Sequence, residues 1–142
     1  MENHVLSIER MKHLRELGLD TSKASMLYCD LYDEEYILVE SKHRFDKEEN
    51  AILLEGVRNS VIYCKKVIPS FTLQDILELL PYKIVASYLN IGKKSFSGDV
   101  LFYIEYSNLG GYAISHFRSE SLLDAAYEML CWCIEHGYIK SK

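Results

Sequence analysis

A chain of 142 residues with 49% apolar and 26% charged side chains can bury a core without help, which excludes the small metal- or disulfide-stapled scaffolds. Its net charge of −5 gives an overall field that attracts neither nucleic acid nor anionic membrane, although a local basic patch escapes that argument. No apolar run approaches the roughly 18 residues of a membrane span, and cysteines at 29, 64, 131 and 133 do not form a secreted disulfide framework, so a reducing cytoplasm is the expected compartment.

Residues 1–18, "MENHVLSIERMKHLRELG", carry acidic residues and helical periodicity where a signal peptide has a basic start and an apolar run. Ile8, Met11, Leu14 and Leu17 recur at helical spacing, Ser7 can cap the first turn, and Gly18 stands where a left-handed residue ends a helix. Over 26–41, "MLYCDLYDEEYILVES", Leu27, Cys29 and Leu31 alternate with Tyr28, Asp30 and Tyr32, which predicts a β-hairpin turning at Asp33–Glu34. "KHRFDKEEN" then reads as a charged loop. The β-branched residues and Gly56 in 51–69 suggest two more strands, with a helix left open by period alone.

Pro69 reads as a boundary before a helix in "SFTLQDILELLP", capped by Thr72 or Ser70, with Leu73, Ile76, Leu77 and Leu80 on one face and Pro81 as its stop. Three strand-like runs follow, "KIVASYLNI", "VLFYIEY" and "GYAISHF". The first link between them, "GKKSFSGD", reads as a longer loop and the second, "SNLGG", as a hairpin turn. Ser119 or Ser121 caps a last helix that runs to Gly137. The expected architecture is α+β: a short N-terminal helix, a β-rich first half, then α-β-β-β-α with the last helix packed on an antiparallel sheet. It forms one domain over 1–142, or two subdomains, 1–68 and 69–142.

Cys131-Trp132-Cys133 with His136 looks most like chemistry. Helical spacing puts Leu122, Ala126, Met129, Leu130 and Cys133 on one side and Asp124, Glu128 and Glu135 on the other. Cys131 is roughly 160° from Cys133, so the two thiols cannot share a metal or a disulfide within an intact helix. Cys133 reads as a core residue and His136 as a C-terminal partner for helix carbonyls. A zinc site would need ligands from elsewhere, such as Cys29 and Cys64.

Other patterns are weaker. "GKKS" at 92–95 has Ser87 where a phosphate-binding loop needs its first glycine, an extra lysine before Ser95, and a strand rather than a helix after it. Lys65 and Lys66 would lower the Cys64 thiol pKa, but nothing in the sequence brings His43 or His116 to it as a base. The α-β-β-β-α order resembles double-stranded RNA-binding domains, yet "SESLLDAAYE" stands where those carry phosphate-gripping lysines.

The segments "HLRELGLDTSKASM", "IPSFTLQDILELLP" and "SLLDAAYEMLCWCIEHGYI" together resemble a group of small uncharacterised bacterial proteins, many from phage-like or other mobile gene sets. The resemblance spans both ends of the chain and omits about 30–66. It implies a bacterial cytoplasmic protein with an accessory role and transfers no catalytic or binding residue.

No catalytic, cofactor or metal residues are therefore assigned. Asp124, Glu128, Cys131 and Glu135 on the last helix, with Lys93, Lys94 and Phe96 at a loop tip, remain as a candidate interaction surface. Eleven tyrosines exceed the needs of a core and favour interfaces. The expectation is a non-enzymatic protein-interaction module, self-associating as a homodimer through a tyrosine-rich sheet surface or meeting a protein partner, with neither membrane nor nucleic acid as partner. The alternative is a small-ligand or nucleotide-binding protein, an enzyme among the options, with a pocket between its halves, near Lys93 and Lys94 or Cys64.

Overall fold

The Ser7 hydroxyl accepts the Arg10 amide at 3.2 Å and so opens helix α1 (Ile8–Glu16), with Met11 and Leu14 buried and Gly18 beyond its end at φ 94°. The computed structural model describes residues 4–32, 35–40, 45–46, 51–53, 61–63 and 66–140, and the fold is α+β. Two compact units divide it: Met1–Arg15 with Asp20–Thr72, and Glu16–Leu19 with Leu73–Lys142.

In the first unit, alternation yields the expected hairpin. Strands β1 (Met26–Tyr32) and β2 (Glu35–Glu40) pair antiparallel, with Tyr28 opposite Leu38. The stretch 42–50 is not all loop. Strand β3 (Phe45–Asp46) pairs with β4 (Ala51–Leu53), which pairs with β5 (Val61–Tyr63), and a two-residue strand is too short to announce itself by period. Strand β6 (Lys66–Ser70) returns to β1, giving the order β2-β1-β6. The described residues of 51–69 thus hold three strands rather than two, and Pro69 lies inside one. It is tolerated because β6 is an edge strand and needs no amide donor on its open side.

Ser70 is no helix cap. It is fully buried, and its hydroxyl donates to the Leu6 carbonyl at 2.8 Å. The Tyr28 hydroxyl donates to the same carbonyl at 3.3 Å, and the Leu6 amide donates to Phe71 O at 2.9 Å. These bonds tie the N-terminal segment to the end of β6 over a core of Val5, Tyr28 and Ile68, against which Ile8, Met26, Tyr36 and Leu38 pack.

The second unit begins with α2 (Leu73–Leu79), shorter than its pattern suggests, with Ile76 and Leu80 buried and Leu73 and Leu77 only half-buried. Four strands follow, not three. Strands β7 (Lys83–Ile84), β8 (Ser87–Phe96), β9 (Asp99–Ser107) and β10 (Ala113–Ser119) form one antiparallel sheet in the order β10-β9-β8-β7. The run at 83–91 folds back on itself at Val85–Ala86. The supposed loop at 92–99 is mostly strand, closed by Ser97 and Gly98 alone at φ 52° and 93°. Positive φ at both central residues is the two-residue hairpin geometry whose twist matches the strands.

Helix α3 (Leu122–Glu135) is capped by Ser121, whose hydroxyl accepts the Asp124 amide at 3.3 Å, and packs on β9 and β10. It buries Leu123, Ala125, Ala126, Met129, Leu130, Cys133 and Ile134. Leu122, expected in the core, is half-buried; Leu123 takes its place. Among the described residues no helix is long and apolar enough to cross a membrane.

Candidate interaction surface

The pleat of the four-stranded sheet sorts its side chains. Ser87, Ile104, Tyr106 and Ser115 are buried on the side that carries α3. The register then assigns Asn90, Gly92, Lys94 and Phe96 of β8, Tyr103 and Glu105 of β9, and His116 and Arg118 of β10 to the opposite face. There Tyr103 lies across Gly92, its direct partner. A Cβ at Gly92 would stand 2.6 Å from the Tyr103 hydroxyl oxygen and 2.7 Å from two of its ring carbons. The missing side chain is what admits the ring.

Tyr103 and His116 have parallel rings, 8° apart with centroids at 6.0 Å. Phe96 stands edge-on to both, at 6.4 Å and 5.8 Å. Lys94 Nζ is 4.9 Å from the Tyr103 centroid and 5.2 Å from that of Phe96, and the Arg118 guanidinium is 4.6 Å from Phe96. Glu105 lies 3.5 Å from His116 Nδ1 and orients the imidazole. Two cations and three rings thus converge from three strands.

At the other end of the sheet, Val85 and Leu109 project from neighbouring turns and, with Tyr88 and Asn108, line an open cleft of about 400 Å³ with Lys83 at its rim. Val85 is 82% exposed and Leu109 is 98% exposed. The loop that carries Leu109 is ordered by Asn108, whose side-chain oxygen accepts the Gly110 and Tyr112 amides at 2.9 and 3.1 Å. Tyr82 and Tyr112 are exposed alongside.

Of the sequence candidates, Lys94 and Phe96 join the ring cluster, from a strand and not a loop tip. Lys93 points the other way, with Nζ 4.9 Å from the Phe102 centroid. On α3, Glu128 and Glu135 are exposed and Asp124 and Cys131 half-buried, a face apart from both clusters. Cys133 is fully buried beside Tyr106, whose hydroxyl donates to Pro81 O at 2.6 Å. Burial pushes the Cys133 thiol up to about 11, against a smaller lowering by the Tyr106 hydrogen bond, and burial likewise raises the Tyr106 phenol. His136 donates from Nδ1 to Trp132 O at 2.8 Å and stacks on the Trp132 ring, as a helix-end residue should.

Cys29 is buried in β1, while Cys64 and His43 lie outside the described residues. Among the described residues no three His, Cys, Asp or Glu side chains gather as metal ligands. Tyr103, Arg118, Val85 and Leu109 were not singled out by sequence, and His116 was weighed only as a base for Cys64. The signal for Tyr103 was the Ser97–Gly98 dipeptide, which fixes the β8–β9 register, whereas His116 and Arg118 are brought in by the pairing of β10 with β9.

No family model, curated protein or solved structure matches this chain.

Proposed function

We propose that the protein is a non-enzymatic interaction module that self-associates through the apolar end of its C-terminal sheet. The observation that carries this reading is Leu109, almost wholly exposed on a well-bonded loop beside an open apolar cleft. A patch that holds both a projecting leucine and a cleft able to receive one is self-complementary, which a two-fold interface requires. Val85 and Tyr88 supply the cleft wall. Lys93 and Lys94 lie outside its lining, so they give no support to a nucleotide site there. A reducing, cytoplasmic compartment belongs to the same reading, since Cys131 and Cys133 sit on one helix where they cannot pair with each other. The accessory role in bacteria rests on the sequence resemblance.

Sedimentation equilibrium over a wide concentration range tests the proposal. The expected result is a monomer–dimer equilibrium that Leu109→Ala weakens on the order of 100-fold, because each dimer loses two buried leucines worth at least ~1.5 kcal/mol apiece. A chain that stays monomeric, or a variant that dimerises as tightly, overturns it.

A further inference from the structure

The ring cluster on the same face spans the registers of Asn90 to Phe96, two to eight residues along β8 from Tyr88. Its chemistry differs from that of the cleft. Tyr103 and His116 form a floor of parallel rings, Phe96 rises edge-on beside it, and Lys94 and Arg118 bring cations to within 5.2 Å of the ring centroids. We propose that this open face binds single-stranded nucleic acid, with a base stacked on the Tyr103–His116 floor against Phe96 and its flanking phosphates at Lys94 and Arg118.

Each part of the geometry favours that ligand over its rivals. Cations alone would serve an acidic peptide, but parallel ring faces beside them suit a planar, anionic ligand, for which Lys94, now over the Tyr103 and Phe96 rings, would swing to a phosphate. Stacking on such rings is worth about 1–3 kcal/mol per base and tolerates any sequence. A duplex keeps its bases stacked inside and offers none to a flat sheet. A lone nucleotide would remain largely in water, since nothing encloses the face. Gly92 gives the site its shape, because its missing Cβ lets the Tyr103 ring lie across β8.

The overall charge of −5 works against nucleic acid, but its reach is a Debye length of about 8 Å at physiological ionic strength. The acidic groups near this face are Glu105, engaged with His116 at 3.5 Å, Asp99, opposite Phe96 at the turn, and exposed Glu120, two residues beyond Arg118. Lys94 and Arg118 are both exposed. Binding should therefore be modest and strongest at low salt.

Fluorescence anisotropy with a labelled oligothymidylate of about 12 nucleotides, a length typical of single-strand sites, tests this on the full chain. Two neutralised phosphates predict a log–log salt slope of about −1.4, which Arg118→Gln should halve. Tyr103→Ala should weaken binding about 5- to 150-fold and Tyr103→Phe should leave it intact, since the ring is retained. Gly92→Ala keeps every ring and cation but displaces the floor, so it should weaken binding with the melting temperature checked in parallel. Leu109→Ala should not affect oligonucleotide binding, and Tyr103→Ala should not affect dimerisation, so either proposal can fail alone. The inference is overturned by absence of binding at low salt, by equal binding of duplex, thymidine monophosphate or polyglutamate, or by a folded Tyr103→Ala that binds as well as the parent.

Discussion

Val85 holds φ 55°, where the Cβ of an L-residue crowds the following carbonyl at a cost of roughly 1–2 kcal/mol, and β-branching makes the crowding worse. Its side chain is exposed, so no packing within the chain offsets that cost. Strain retained at an exposed apolar residue is the pattern of a site kept for contact rather than stability. Val85→Gly should therefore raise the unfolding free energy by about 1 kcal/mol, read by urea denaturation, because glycine meets no Cβ clash at positive φ. The same variant should weaken the proposed self-association, since the cleft loses a wall. Higher stability with weaker association separates a docking residue from a merely tolerated one. A Val85→Gly chain that is less stable than its parent would show that the turn is not strained in solution.

At the scale of the element, the β8–β9 hairpin organises everything on the open face, and Ser97–Gly98 organises the hairpin. Gly98 sits at φ 93° with open space around it, so Gly98→Ala meets conformational strain and no steric neighbour. The expected loss is about 1 kcal/mol, measurable by thermal unfolding. Ser97→Asn should stabilise by a few tenths of a kcal/mol, since Asn-Gly suits this turn best. If both variants leave stability unchanged, the turn does not set the register. This element also shows where a sequence stops being readable. Helices α1 and α3 and the β1–β2 hairpin are legible because each is long enough to display its period and carries a recognisable cap or turn. The 92–99 stretch misleads because its lysines, glycines and serines have loop composition, whereas cross-strand pairing decides its structure. That single misreading hides the site: once β8 is seen to run to Phe96, the pleat separates Lys93 from Lys94 and the register adds Tyr103, His116 and Arg118. Strands β7 and β3 escape for a related reason, since two-residue strands have no period. Leu109 was legible as a loop residue, but its exposure beside Val85 comes from the topology alone.

For the whole molecule, the buried pair Tyr106–Cys133 makes stability depend on alkaline pH in a definite direction. Both side chains are fully buried in the C-terminal unit, and burial raises both acids above their ordinary values of 10.0 and 9.0, the thiol to about 11. In the folded state Cys133 keeps its proton between those two thiol values, whereas the unfolded chain releases it. The unfolded state then binds fewer protons, so unfolding becomes easier as pH rises. The stabilisation is complete below about pH 9 and is lost through pH 11, amounting to about 2–3 kcal/mol for two pH units. Tyr106 adds to the loss from about pH 10 upward. Trp132, the single tryptophan, stacks beside Tyr106 with centroids at 6.5 Å and so reports on this unit. Urea midpoints followed by its fluorescence should hold steady to about pH 9 and then fall. Cys133→Ala costs stability at every pH through its lost packing, but it should delay the onset of the fall by about one pH unit, leaving the tyrosine as the remaining buried acid. An onset that stays at pH 9 in the variant would mean that the thiol is not the titrating group. The burial of Cys133 between α3 and the sheet would then no longer account for the alkaline limit of the fold.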